Sequence, residues 1–385
     1  MINRHLSLLL MLFSSIFLLS SCEEDDITIV EQNHEEFISA LPQSVLYPLD
    51  NPYSEEKESL GRLLYWDPIL SGTKDVACVS CHHPDLGYAD GLNFSQGVGG
   101  SGLGQNRIGG LKTRRNAPTV INTAFNGIDN DGNYQAEAAP MFWDNRAQSL
   151  EEQALLPMLS KEEMRGSTIP EQHIMDTIIR RLNAIPEYVA KFEQAFGSNE
   201  INQERILAAI TTFERGIVAN NSPFDQYMRG DANALNEFEI RGMNAFIQVG
   251  CADCHSGPMF SDYKLHTIGV RDNITPADEG ATNHFDFRTP TLRNLNLTAP
   301  YMHNGIHATL EEVMEFYEEI AEGENDELNV NLNINQLDEE MQDLELGDNL
   351  IDEIIAFLNA LNDDNFDKTI PNSVPSGLAV GGNIN

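Results

Sequence analysis

Two short stretches carry the residues best suited to chemistry: Cys78, Cys81 and His82 in "VACVSCHHPDLGYADG", and Cys251, Cys254 and His255 in "GCADCHSGPMF". Each sets two cysteines three apart and follows the second at once with a histidine. A CxxC pair alone could be a redox dithiol, but that reading wants a βαβ context. Four cysteines could hold zinc, but paired zinc knuckles fall closer together in sequence than these. The adjacent histidine decides. In c-type haem attachment the thiols add to two vinyl groups and the next imidazole reaches the iron from one face. The repeated pattern therefore predicts two covalent haem c groups. Cys78, Cys81, Cys251 and Cys254 become thioethers, and His82 and His255 become proximal ligands. His83, directly beside His82, cannot share that iron and is expected at the surface or against a haem propionate.

The elements that hold these motifs must come from a chain of 385 residues, more than one hydrophobic core usually organises. Two domains are expected. The 23 basic against 60 acidic residues give a formal charge of -37, which excludes nucleic acid as a partner. A basic partner is compatible with that charge, and solubility alone accounts for it. Residues 1–21 read as a signal peptide: Arg4 and His5 precede an apolar run too short and wrongly flanked for a membrane span. Its end, "LSSC", resembles a lipoprotein signal with Cys22 lipidated; the alternative is an ordinary cleaved leader. Either way the chain is exported, to the periplasm or the cell surface, and the lipoprotein reading anchors it to the outer membrane. With Cys22 set aside, all four remaining cysteines lie in the two motifs, and no disulfide is needed.

Helical spacing dominates the rest. "EQHIMDTIIRRLNAIPEYVAKFEQAF", "INQERILAAITTFERGIVA" and "TLEEVMEFYEEI" show apolar residues at helical intervals, the last starting at a Thr309 N-cap. The glycine-rich stretch at 97–110 lacks the strand and helix that a nucleotide-binding loop needs. The expected fold is mostly α, two cytochrome c-like haem domains with few short strands. Residues 22–165 would hold the first haem, 166–225 a helical connection packing on the haem domains, 226–362 the second haem, and 363–385 a tail.

Several blocks in order resemble the bacterial di-haem cytochrome c peroxidase family, which includes the MauG-type enzymes. They are "LGRLLYWDPILS", both CxxCH motifs, "RRNAPTVINTAFN", "MFWDNRAQSLEEQALLPMLSKEEM" and "FRTPTLRNLNLTAPYMHNG". The resemblance implies that the N-terminal haem reacts with peroxide and the C-terminal haem relays electrons from a small donor such as a cytochrome c or a cupredoxin-like protein. It implies that Trp143 lies between the haems, that Gln153 and Glu163 form the distal pair, and that Pro157 covers the same face. It further implies a calcium ion held by Asn116, Thr298 and Pro300, and it allows a homodimer. The chemistry wants the same types. Splitting an O–O bond needs a carboxylate to carry a proton from the near oxygen to the leaving one, and an amide can hydrogen-bond there without charge.

Two positions bear on the type of enzyme. Many of these peroxidases close the first iron at rest with a histidine from the loop after the first motif. Here no histidine lies between His83 and His173, and the loop offers only Gln105 and Asn106, so an open sixth position is expected unless Met141 caps it. The second haem takes methionine in ordinary peroxidases and tyrosine in the MauG type. The matching position is Tyr317, with Met314 one turn earlier as its rival. The leading expectation is a peroxidase reducing hydrogen peroxide to water. The alternatives are a MauG-like oxidase that modifies a protein or small substrate, and an electron carrier that caps both irons.

Overall fold

The computed structural model describes residues 34, 37–323 and 328–385. The leader and Cys22 lie outside the described residues. Within residues 33–385, one compact unit, two crossed helix pairs seed two hydrophobic cores. Helix α1 (Glu55–Trp66) begins at Ser54, whose side chain accepts from the Lys57 amide, and carries Glu55, Glu56 and Glu58 in its first turn. Both features satisfy the unpaired amides and the positive end of the helix dipole. It buries Leu60, Leu64, Tyr65 and Trp66.

The chain continues through α2 (Leu150–Leu159), α3 (Glu171–Asn183), α4 (Pro186–Phe196) and α5 (Gln203–Arg215). Helix α1 crosses α5 at Gly61, where a Cβ would stand 1.9 Å from the Ala209 carbonyl oxygen. Only glycine permits that approach. Residues of α3, α4 and α5 such as Ile174, Ile178, Phe192 and Ile210 all join α1 in the first core. The stretch read as a connection is thus built into the wall of that core.

Helices α6 (Pro223–Met228), α7 (Glu237–Gln248), α8 (Cys251–Cys254), α9 (Leu310–Ala321), α10 (Glu339–Gln342) and α11 (Asp348–Asn359) follow. Helix α7 crosses α11 at Gly242, where a Cβ would lie 1.8 Å from the Glu353 carbonyl oxygen. The second core gathers Phe246, Phe260, Met314, Ile354 and Phe357, together with Ile38 from the start of the described chain. Two short antiparallel strands, β1 (Leu265–His266) and β2 (Phe287–Arg288), pair Leu265 with Arg288 and His266 with Phe287. The fold is mostly α. Among the described residues no helix is long and apolar enough to cross a membrane.

The two halves repeat more than their motifs. Tyr88 and Phe260 both adopt a φ of 53°, Asn122 and Asn294 take 65° and 61°, and Phe142 and Met302 take 67° and 70°. Ser149 caps α2 as Thr309 caps α9. The tail does not trail away. Phe366 and Val374 bury in the first core, the Gly381 amide donates to the Trp66 carbonyl at 2.8 Å, and the Ser80 hydroxyl donates to the Gly381 carbonyl at 3.2 Å. Residues 363–385 therefore close behind the first motif.

Candidate functional site

Both motifs open on one cavity of about 630 Å³, lined by Cys78, Cys81, His82, Cys251, Cys254 and His255. All four cysteines are unpaired. The His82 Nδ1 lies 3.1 Å from the Tyr88 carbonyl and the His255 Nδ1 lies 3.0 Å from the Phe260 carbonyl. A carbonyl can only accept, so each Nδ1 carries the proton and each Nε2 keeps its lone pair. Burial lowers the pKa of both imidazoles, which holds them in that neutral form. Such a fixed tautomer is how ligating histidines are oriented. His83 departs from the expectation. It is buried, with its ring 5.6 Å from that of Trp66, and its Nδ1 accepts from the Asp85 amide at 3.2 Å. Capping the turn at Pro84 and packing on Trp66 draw it inward, away from both solvent and the cavity.

Gln153, Pro157 and Glu163 line the cavity beside the first motif. Helix α2 presents Gln153 and Pro157, and a π-helical turn at Lys161–Arg165 presents Glu163. The Ser160 hydroxyl starts that turn by accepting from the Glu163 amide at 3.3 Å. Burial raises the Glu163 carboxyl, and the Ser160 hydrogen bond only partly offsets this. The glycine-rich loop presses on the same turn, since a Cβ on Gly97 would lie 2.4 Å from the Glu163 carbonyl oxygen. Arg107 ties that loop through the carbonyls of Gln96, Gly97 and Gly102. Gln105 and Asn106 on it are exposed. Met141 lines the cavity, with its sulfur 3.2 Å from the Asn126 amide nitrogen.

Trp143 stands in the cavity wall, buried, with its Nε1 donating to the Asn116 carbonyl at 3.0 Å. The Asn116 amide in turn donates to the His303 carbonyl at 2.8 Å, and the Trp143 and His303 rings meet edge-on at 6.5 Å. The Asn116 side-chain amide lies 3.3 Å from the Pro300 carbonyl, and Thr298 lines the same cavity. Tyr317 and Met314 line it at the second motif. The Tyr317 phenol is raised by burial and by its proximity to Cys251 and Cys254.

The model of the di-haem cytochrome c peroxidase family matches residues 55–233. The methylamine utilization protein MauG of Methylorubrum extorquens is 34% identical over 86% of this chain and 85% of its own length. The cytochrome c551 peroxidase of Nitrosomonas europaea is 32% identical over 84% and 85%. This chain belongs to the di-haem cytochrome c peroxidase family. The crystal structure of a MauG-like protein associated with microbial copper homeostasis superposes with a TM-score of 0.67 at 30% identity, covering 84% of this chain and 95% of that one.

The family is oxidoreductase and carries two haem c groups, and the residues of this cavity fit them. Four thiols and two free imidazole nitrogens face one space. Arg288, buried, also lines it; its Nε donates to the Phe142 carbonyl at 2.8 Å and, among the described residues, no carboxylate lies within ion-pair distance, although Asp144 favours its charge from farther off. A buried guanidinium without an anion is costly, and a haem propionate supplies one. The His303 Nε2 is likewise buried without a partner. Residue reading missed Arg288, His303 and Glu214. Glu214 sits in a helix, Arg288 in a short strand and His303 in a turn, and only their common cavity singles them out.

Proposed function

We propose that the protein is a peroxidase that reduces hydrogen peroxide to water at the first haem, with electrons entering at the second. One observation carries the reading: where α9 presents Tyr317 to the cavity at the second motif, α2 presents Pro157 at the first, beside Gln153 and Glu163. Proline has no group that can close an iron. Haem c at the first motif would supply the electron transfer that cleaves the O–O bond. Glu163, in its partly dry pocket, takes the proton from the near oxygen and returns it to the leaving one. Gln153 orients the peroxide by hydrogen bonds without adding charge. Trp143, held in the cavity wall by its hydrogen bond to the Asn116 carbonyl, serves in this reading as a stepping stone for electrons between the haems.

Tyr317 favours a second reading. Phenolate ligation stabilises ferric and higher states, which suits a MauG-like oxidation of a protein or small substrate. The resemblance assigns calcium to Asn116, Thr298 and Pro300, residue types whose carbonyl and amide oxygens a hard cation takes. We place the protein in the periplasm or at the cell surface, held by lipid on Cys22, with a cytochrome c or cupredoxin-like protein as its electron donor. The sequence of the leader supports that placement.

The deciding experiment is electron paramagnetic resonance of the resting ferric protein beside its Tyr317→Phe variant. A high-spin signal together with a low-spin signal that changes in the variant is expected. Two low-spin signals indifferent to Tyr317 would overturn both the open first iron and the tyrosine ligand.

A further inference from the structure

Reducing one hydrogen peroxide to two waters takes up two electrons and two protons. Glu163 moves a proton already on the peroxide, so it supplies neither of those two. Both must cross a buried cavity.

Glu214 is placed to help them. It lies on α5 one turn past Ile210, and both line the cavity at the first motif. It is 7% exposed, and among the described residues its carboxyl has no hydrogen-bond partner. The groups facing it leave it without a cation. On its own helix Arg215 is committed to Glu151, at 2.6 and 2.9 Å. Glu151 of α2, Tyr65 of α1 and Cys78 of the motif complete its electrostatic surroundings. Burial pushes the carboxyl up to about 8, against a smaller pull down from Arg215 and with a push up from Glu151.

The second half of the molecule supplies a control. A Cβ on Gly61 would lie 2.9 Å from the Phe213 Cβ, and one on Gly242 would lie 3.0 Å from the Phe357 Cβ. The next residue faces the cavity in both cases: Glu214 at the first motif and Leu358 at the second. Leucine fills this position with no polar penalty. A carboxyl there is a burden to packing, so its presence at the peroxide-reducing end calls for a chemical reason.

We propose that Glu214 is the proton reservoir of the first haem site. Resting on the peroxidase reading, its O–H bond breaks as the oxygen left by peroxide becomes the second water. That step uses electrons from the donor, and the resulting carboxylate is reprotonated from solvent. Glu214 thus provides one of the two protons in HOOH + 2 e⁻ + 2 H⁺ → 2 H₂O.

The test uses the di-haem holoprotein and the variants Glu214→Gln and Glu214→Leu, the latter copying the second site. Wild type should lose turnover as pH rises through about 8, and the midpoint potential of the first haem should fall with pH over the same range. In both variants the alkaline limb and the potential slope should vanish, with turnover at neutral pH reduced about tenfold or more. Glu214→Asp should restore a limb at a shifted pH. Unchanged slope and limb in Glu214→Gln would overturn the proposal. The potential readout needs no peroxide. A wild type that fails to turn over peroxide would therefore sink the peroxidase reading alone, and the slope would still decide on Glu214.

Discussion

The two motif-bearing halves share their scaffolding and differ in what they aim at the cavity. A glycine crossing, an asparagine in the left-handed region and a hydroxyl-capped helix recur in both. Even the threonines after the matching prolines behave alike: Thr119 donates to the Gly87 carbonyl at 2.6 Å and Thr291 to the Met259 carbonyl at 2.7 Å. Against that background, Pro157 stands where the other half has Tyr317, Gln153 where it has Val313, Glu214 where it has Leu358, and Trp143 where it has His303. The repeated residues meet backbone demands common to both folds. The divergent ones face the cavity: an amide and a carboxyl, with a proline and an indole, at the first site, against a phenol, an imidazole and two apolar side chains in the second half.

The largest expected effect lies on the divergent side. Glu163→Gln should lower peroxide turnover by about 10²–10⁴-fold while both haems stay attached, measured by steady-state kinetics beside the haem spectrum. An unchanged rate would dissolve the chemical contrast between the halves.

Next comes the ion pair under the second core. The buried Arg293 guanidinium bonds the Asp225 carboxylate at 2.9 and 3.1 Å. Burial alone would raise the Asp225 carboxyl, but Arg293 and hydrogen bonds from Ser222 and the Leu41 amide bring it below the usual carboxylate range. A depressed folded pKa gives stability that is present above the unfolded value of about 3.9 and is lost as pH falls through the folded one. Arg293→Met should cost about 3–5 kcal/mol at neutral pH by denaturant unfolding, and that part of the acid sensitivity should disappear.

The shared scaffolding gives a matched pair of smaller effects. Gly61→Ala and Gly242→Ala should each cost about 1–3 kcal/mol, because each forces a methyl against a carbonyl of the crossing helix. A large cost in one and none in the other would mean the crossings are not equivalent. The smallest change should come from chelating calcium. Donor-driven turnover should slow as the Asn116–Pro300 junction loosens, while ferric peroxide binding persists. Indifference to a chelator in both measurements would remove calcium from the site.

Residue types alone pointed to the two haem c groups that the family carries, because a covalent motif is local and Cys78, Cys81 and His82 need no distant partner to be recognised. The helix start at Thr309 was equally legible, since a cap is a contact across three residues. Sequence by itself thus determined the class of cofactor and the helical character of the chain. Tertiary structure decided the rest. It turned His83 inward onto Trp66, folded residues 363–385 back behind the first motif, and brought Glu214 of α5 to the cavity opposite the role of Leu358. The reason is physical. Capping and thioether formation depend on neighbours in the chain. Burial, and with it the proton affinity of Glu214 and the unmet charge of Arg288, depends on what distant helices exclude from water.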